Sequence, residues 1–311
     1  MKNNAIPFLV FLCLFWCCKK PHDPHEPGGT KKYPVNFTVS GFDQHMEELG
    51  KTTDTLTDYI GYLYYVVFQQ DNGYVHKIEQ VTTDDDFGTI YDSLPAGQYI
   101  IALVGSKDPV TLEDYHHEPT PNFLVMRFPG TDAFYKRLVL SVNGAVNQTV
   151  SLDRIVGKLK VIIRDRIPYD AHSIILTPSL YPPPVPDVPY GYPDAFNLRS
   201  GEMLPNGGPG DNLVYNGMYH EFTPTEKGML DFSMEDYILM PVTDTFTVHL
   251  SAAYASGQTI SSKILYNIRV SPGKRTVLSG KLFDNLPGND SGINVIIANP
   301  EWSADSTLQN F

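Results

Sequence analysis

Lys158-Leu159-Lys160-Val161-Ile162-Ile163-Arg164 alternates along its length, so that Leu159, Val161 and Ile163 fall on one side and Lys158, Lys160 and Arg164 on the other. A strand points successive side chains to opposite faces, and a helix would scatter this pattern around its surface. The heptapeptide therefore predicts a strand with one buried face. The same period recurs upstream, where Val35, Phe37 and Val39 oppose Asn36, Thr38 and Ser40. Downstream it recurs in Phe246, Val248, Leu250 and Tyr254, and again in Ile264, Tyr266, Ile268 and Val270. Ile60-Gly61-Tyr62-Leu63-Tyr64-Tyr65-Val66-Val67-Phe68 is apolar on both faces, the pattern of a central strand. Asp71-Asn72-Gly73 then predicts a hairpin turn into Tyr74–Val81, and Leu94-Pro95-Ala96-Gly97-Gln98-Tyr99 a turn that launches a strand over Tyr99–Val104.

Composition agrees with that pattern. The 311 residues include 19 tyrosines, 25 prolines and 24 glycines, which favours strands joined by turns, and the fold class reads as all-β. The length accommodates two domains of ordinary size. Residues 34–155 predict an N-terminal β-sandwich, and residues 156–311 a C-terminal β-sandwich that repeats it in kind, closing with strands over Thr276–Phe283 and Ile293–Ala298. A Pro/Gly-rich insertion at about 178–212, including Pro182-Pro183-Pro184, interrupts the second; it reads as a mobile excursion or a loop that touches a neighbouring subunit. A net charge of -12 excludes nucleic acid as a partner, because the phosphate backbone would repel it.

The N-terminus carries an address. An apolar run from Ile6 to Cys18 follows Lys2, too short for the roughly 20 residues of a membrane-spanning helix, and it has the outline of an export signal. All three cysteines, Cys13, Cys17 and Cys18, lie inside it, so disulfides take no part in the fold. A cysteine at the junction between an apolar run and a polar tether resembles the lipobox of bacterial lipoproteins. Cys18, preceded by the smaller Cys17, suits lipidation better than Cys17, preceded by Trp16. Residues 1–18 are thus the signal segment and 19–33, with Pro21, Pro24 and Pro27, an extended tether.

The sequence offers no candidate catalytic residues. No nucleophile elbow, metalloprotease helix or phosphate-cradling loop is present. Asp84-Asp85-Asp86 lacks the spacing of a calcium loop and reads as a hairpin tip. Asp114-Tyr115-His116-His117-Glu118 reads as a surface loop, and no metal or cofactor is expected. Trp302 and exposed tyrosines are the candidates for stacking against a ligand such as a glycan.

The order of these features resembles the fimbrial anchor and fimbrillin-like lipoproteins of Bacteroidota. The resemblance rests on the N-terminal cysteine and tether, the strand from Tyr33, the Leu94–Tyr99 turn, Leu152-Asp153-Arg154-Ile155-Val156-Gly157-Lys158-Leu159, and Pro272–Phe283 running on to Pro300-Glu301-Trp302. It implies two tandem transthyretin-like β-sandwiches, display on the cell outer membrane through the N-terminal lipid, and other fimbrial subunits as partners, with a host or bacterial surface ligand. It further implies β-strand complementation between subunits, for which the candidate strands are Val35, Phe37 and Val39, and Ile293, Val295 and Ile297. Shaft subunits of such fimbriae lose their first strand to an Arg-specific protease. No arginine precedes Arg127 here, which favours an unprocessed anchor or accessory subunit.

Overall fold

The computed structural model describes residues 30–42, 55–115, 123–128, 130–179, 195–204, 217–239, 245–284 and 293–298. In chain order the first half contributes β1 (Lys32–Phe42), β2 (Tyr62–Gln69), β3 (Gly73–Val81), β4 (Thr89–Pro95), β5 (Gly97–Ser106), β6 (Thr111–Tyr115), β7 (Phe123–Arg127), β8 (Ala133–Val142) and β9 (Val146–Arg154). The second contributes β10 (Val156–Ile163), β11 (Ala171–Ser179), β12 (Ala195–Asn197), β13 (Glu202–Met203), β14 (Met218–Glu221), β15 (Phe232–Leu239), β16 (Phe246–Tyr254), β17 (Thr259–Ile268), β18 (Arg275–Gly280) and β19 (Ile293–Ala298). One turn of helix, Leu56–Tyr59, is the only helical element among the described residues. The fold is all-β and sandwich-like.

A seven-stranded sheet runs β3-β2-β5-β8-β9-β1-β4 and folds back on itself at β8 and β9, which pair only through Phe134 with Arg154 and Tyr135 with Asp153. Its two leaves enclose one core, in which Val35 and Phe37 of β1 meet Tyr65 of β2 and Ile101 of β5. The second half stacks two four-stranded sheets, β15-β10-β18-β19 and β14-β11-β16-β17. Between them Leu159, Val161 and Ile163 pack against Ile174, Leu176, Val248 and Leu250, so the alternation of the opening heptapeptide is the inward face of β10.

The halves share a topology. β1 pairs antiparallel with β4 and parallel with β9; β10 pairs antiparallel with β15 and parallel with β18. β2 lies between β3 and β5, and β11 between β14 and β16. β5 continues to β8, and β16 to β17. Two additions break the correspondence: β19 beyond β18, and a small sheet β13-β12-β7-β6 built from both halves.

That small sheet explains why β2 is apolar on both faces. Tyr64, Val66 and Phe68 point away from the first core and, with Ile100, Ala102 and Val104 of β5, are buried under Leu124, Met126, Phe196 and Leu198. It also corrects two expectations from sequence. Asp114 and Tyr115 belong to a strand, β6, paired with β7 instead of lying in a surface loop. Residues 195–204 of the Pro/Gly-rich insertion, expected as a mobile excursion or a loop touching a neighbouring subunit, join this sheet on the chain's own first half: β12 pairs with β7, and the Tyr135 hydroxyl donates to the Leu198 carbonyl at 2.8 Å. A third correction concerns β17. Ile264 and Tyr266 are exposed while Ile268 and Val270 are buried, because Asn267 adopts φ 57° and switches the face that points inward.

β9 and β10 are separated by Ile155 alone. At that seam Arg154 donates from Nε and Nη2 to the two carboxylate oxygens of Asp132, each at 2.9 Å, and its guanidinium lies over the Phe134 ring. Burial holds the Asp132 carboxyl above its ordinary value even beside that cation. Next to it, Lys158 of β10 pairs with Glu235 of β15 at 2.7 Å and sits over the Tyr237 ring.

Candidate functional site

A sheet edge presents unpaired N–H and C=O groups to any strand that approaches, and proteins guard such edges with charge, proline or a polar side chain turned inward. Among the described residues four sheets give eight edges: β3, β4, β6, β13, β14, β15, β17 and β19. β4 carries Asp92 between the core residues Ile90 and Leu94, with its side chain only 11% exposed. The Tyr65 hydroxyl donates to Asp92 Oδ2 at 3.0 Å, and His76 Nε2 of β3 lies at 3.0 Å from the same oxygen. Burial, and then the neighbouring carboxylate, pushes the Tyr65 phenol well above its usual range and keeps it a donor.

β15 repeats the device in the second half. Asp236 lies between the core residues Met234 and Ile238 and opposite Leu159, and its Oδ1 accepts from the Tyr237 amide at 2.8 Å. Burial raises the Asp236 carboxyl to about 6. Three other edges are guarded from within: Gln80 of β3 is buried and donates to the Thr89 carbonyl, His220 of β14 sits opposite Ile174, and Lys263 of β17 sits opposite Leu250. β6 bears Glu113 and Asp114, and β13 bears Glu202. A strand added to any of these edges would seal an ionisable or amide side chain from water, at a cost of roughly 2–7 kcal/mol if no partner is supplied.

β19 alone among these eight has no charged residue, histidine or proline: it reads Ile-Asn-Val-Ile-Ile-Ala. Its register on β18 sets Ile293 opposite Gly280, Val295 opposite Leu278 and Ile297 opposite Thr276, and Leu278 is fully buried in the second core. Among the described residues, the three predicted β19 residues thus pair in register with β18 on an edge strand. Val35, Phe37 and Val39 are placed differently. They are buried in β1, which has both edges occupied, by β4 and by β9. Cys17, Cys18 and Trp302 lie outside the described residues.

The inward Asp92 and Asp236 were missed in the sequence, although each leaves a trace: a single acid breaking an apolar alternation, Ile90-x-Asp92-x-Leu94 and Met234-x-Asp236-x-Ile238. Among the described residues no three His, Cys, Asp or Glu side chains converge to hold a metal, and no helix is long and apolar enough to cross a membrane.

No curated protein matches the sequence. A solved structure of a candidate adhesin from Bacteroides thetaiotaomicron is similar with a TM-score of 0.50 at 10% identity, over 87% of this chain and 97% of that one. The fimbrial anchor protein Mfa2 from Porphyromonas gingivalis gives 0.49 at 12% identity over 86% and 95%, and a candidate adhesin from Bacteroides ovatus gives 0.48 at 11% over 86% and 96%. The first likeness establishes a shared fold. Residues 129–309 match a family described as a family of unknown function, DUF6562, and because that match spans more than half of the sequence, the chain belongs to this family.

Proposed function

We propose that the protein is a non-catalytic subunit of a surface fimbria, an anchor or accessory subunit that assembles by β-strand complementation. The observation that carries this reading is the contrast among edges: seven are guarded, and the eighth, β19, is an uncharged C-terminal strand laid on the buried strand β18. Exchange of β19 for a partner's strand would conserve the ladder and the apolar register positions. β1 is the second candidate, since its departure would open the first core between β4 and β9. In this reading residues 34–155 and 156–311 are the two domains, and lipid on Cys18, or on Cys17, holds the 19–33 tether to the outer membrane.

A reversible lock tests the exchange. Val277 and Ile296 are cross-strand partners, and the exported portion has no cysteine, so Val277→Cys with Ile296→Cys ties β19 to its own sheet. Detergent-resistant assemblies with the partner subunits should be lost in oxidised cells and return on reduction. Assembly that proceeds with the lock closed removes β19 from the mechanism. For the anchor, Cys18→Ser should remove lipid from the N-terminal peptide by mass; lipid that persists would assign it to Cys17.

A further inference from the structure

We infer that His76, Gln80 and Asp92 form a latch across the open side of the first sandwich, and that this latch gates the release of β1. β3 and β4 are the two ends of the seven-stranded sheet and follow one another in the chain. No backbone ladder joins them: β3 pairs with β2, and β4 with β1. Side chains bridge the two leaves along this side instead.

His76 and Gln80 stand on β3 at alternate positions either side of Ile78, which packs against the first core. Gln80 donates to the Thr89 carbonyl at 2.8 Å and accepts from the Gly88 amide at 3.1 Å. The Gly88 carbonyl in turn accepts from the Val39 amide of β1 at 2.8 Å, so one side chain ties β3 to β4 and, through Gly88, to β1. Further along, His76 Nε2 meets Asp92 Oδ2 at 3.0 Å, beside the hydroxyl that Tyr65 donates to the same oxygen. A carboxylate only accepts, so the imidazole is the donor.

The second half shows the same plan without the latch. Asp236 of β15 lies opposite Leu159 of β10 as Asp92 of β4 lies opposite Val35 of β1, so the two acids hold equivalent places. Asp236, however, accepts from the Tyr237 amide of its own strand, and His220 of β14 turns to Glu226 at 2.9 Å in the turn that follows. The acid is common to both halves, and its bridge to the facing strand belongs to the first.

The consequence falls on β1, which has β4 on one side and β9 on the other. Once β4 swings away, β1 becomes an edge strand held by β9 alone. Bonds to an ionised carboxylate oppose that opening more strongly than neutral pairs would. If β1 is the strand exchanged in the function proposed above, the latch sets how often it is offered. The latch itself rests only on the geometry of β3 and β4.

Hydrogen–deuterium exchange of the full-length chain, read peptide by peptide, tests this. In His76→Ala and in Gln80→Ala the amides of β1 and β4 should exchange about ten- to a hundredfold faster, while those of β2, β5 and β10 keep their wild-type rates. His76→Gln, whose amide can still donate to Asp92, should restore slow exchange. Unchanged exchange of β1 and β4 in both alanine variants overturns the proposal. So does acceleration spread evenly over β1, β2, β4 and β5, which would make His76 and Gln80 ordinary core stabilisers, and so does a His76→Gln variant no slower than His76→Ala. None of these readouts involves β19 or a partner subunit, so the latch can fail while strand complementation stands, and the reverse.

Discussion

Individual side chains at the seam and at the edges have consequences that can be measured. Arg154 and Asp132 form a buried bidentate pair, and removing one partner leaves the other charge uncompensated. Arg154→Met should therefore lower stability by about 3–5 kcal/mol in urea unfolding. Asp236 makes a different prediction, because its folded-state value of about 6 is raised by burial from the ordinary carboxylate value. The native state then holds the proton more tightly than the unfolded chain. Its contribution to stability is full at low pH and falls as pH rises through that window, leaving a penalty on the order of 3 kcal/mol at neutral pH. Asp236→Asn should accordingly stabilise the protein at pH 7 and flatten its stability profile between about pH 4 and 6, as followed by thermal melts across pH. Gly157 carries a steric constraint: a Cβ there would collide with Val270 Cγ1 and meet the Ser271 carbonyl oxygen at 2.6 Å. None of these roles is visible as a motif. An acid in an apolar alternation can be noticed in sequence, but whether it faces water or a core depends on the strand's place in the sheet.

Strands as elements were largely legible. β1, β10 and β16 announce themselves by alternation, and the Asp71-Asn72-Gly73 turn joins β2 to β3 as expected. β17 was misread in part because the positive φ of Asn267 shifts the inward face by one residue, and nothing in period-two reasoning reveals such a bulge. Strands β6, β12 and β13 were missed because they are five, three and two residues long and gain order only from partners far away in the chain. Asp236→Val keeps the β15 backbone and removes its inward charge. The variant should be more stable as a monomer and more prone to self-association, measured by sedimentation across a concentration series. A variant that stays strictly monomeric would show that Asp236 is no guard.

For the molecule as a whole, the small sheet is the part that ties the halves together. Phe196 and Leu198 come from the second half yet bury the outer face of β2 and β5. Phe196→Ala should cost about 3–5 kcal/mol in equilibrium unfolding, as a core truncation does, although the residue lies in a Pro/Gly-rich insertion. A loss below 1 kcal/mol would mean that the layer is dispensable. The all-β class and the positions of the longer strands were written in local patterns, because alternation and turn chemistry act over a few residues. The apolar run from Ile6 to Cys18, with its three cysteines, is likewise a local feature. What only the tertiary structure decided was non-local: the third sheet, the parallel pairings of β1 with β9 and β10 with β18, and the distinction between guarded edges and bare β19. An edge has no signature of its own in sequence, since being an edge means lacking a neighbour, and neighbours in a sheet can be set by pairings between residues more than a hundred positions apart, such as Val39 with Val150.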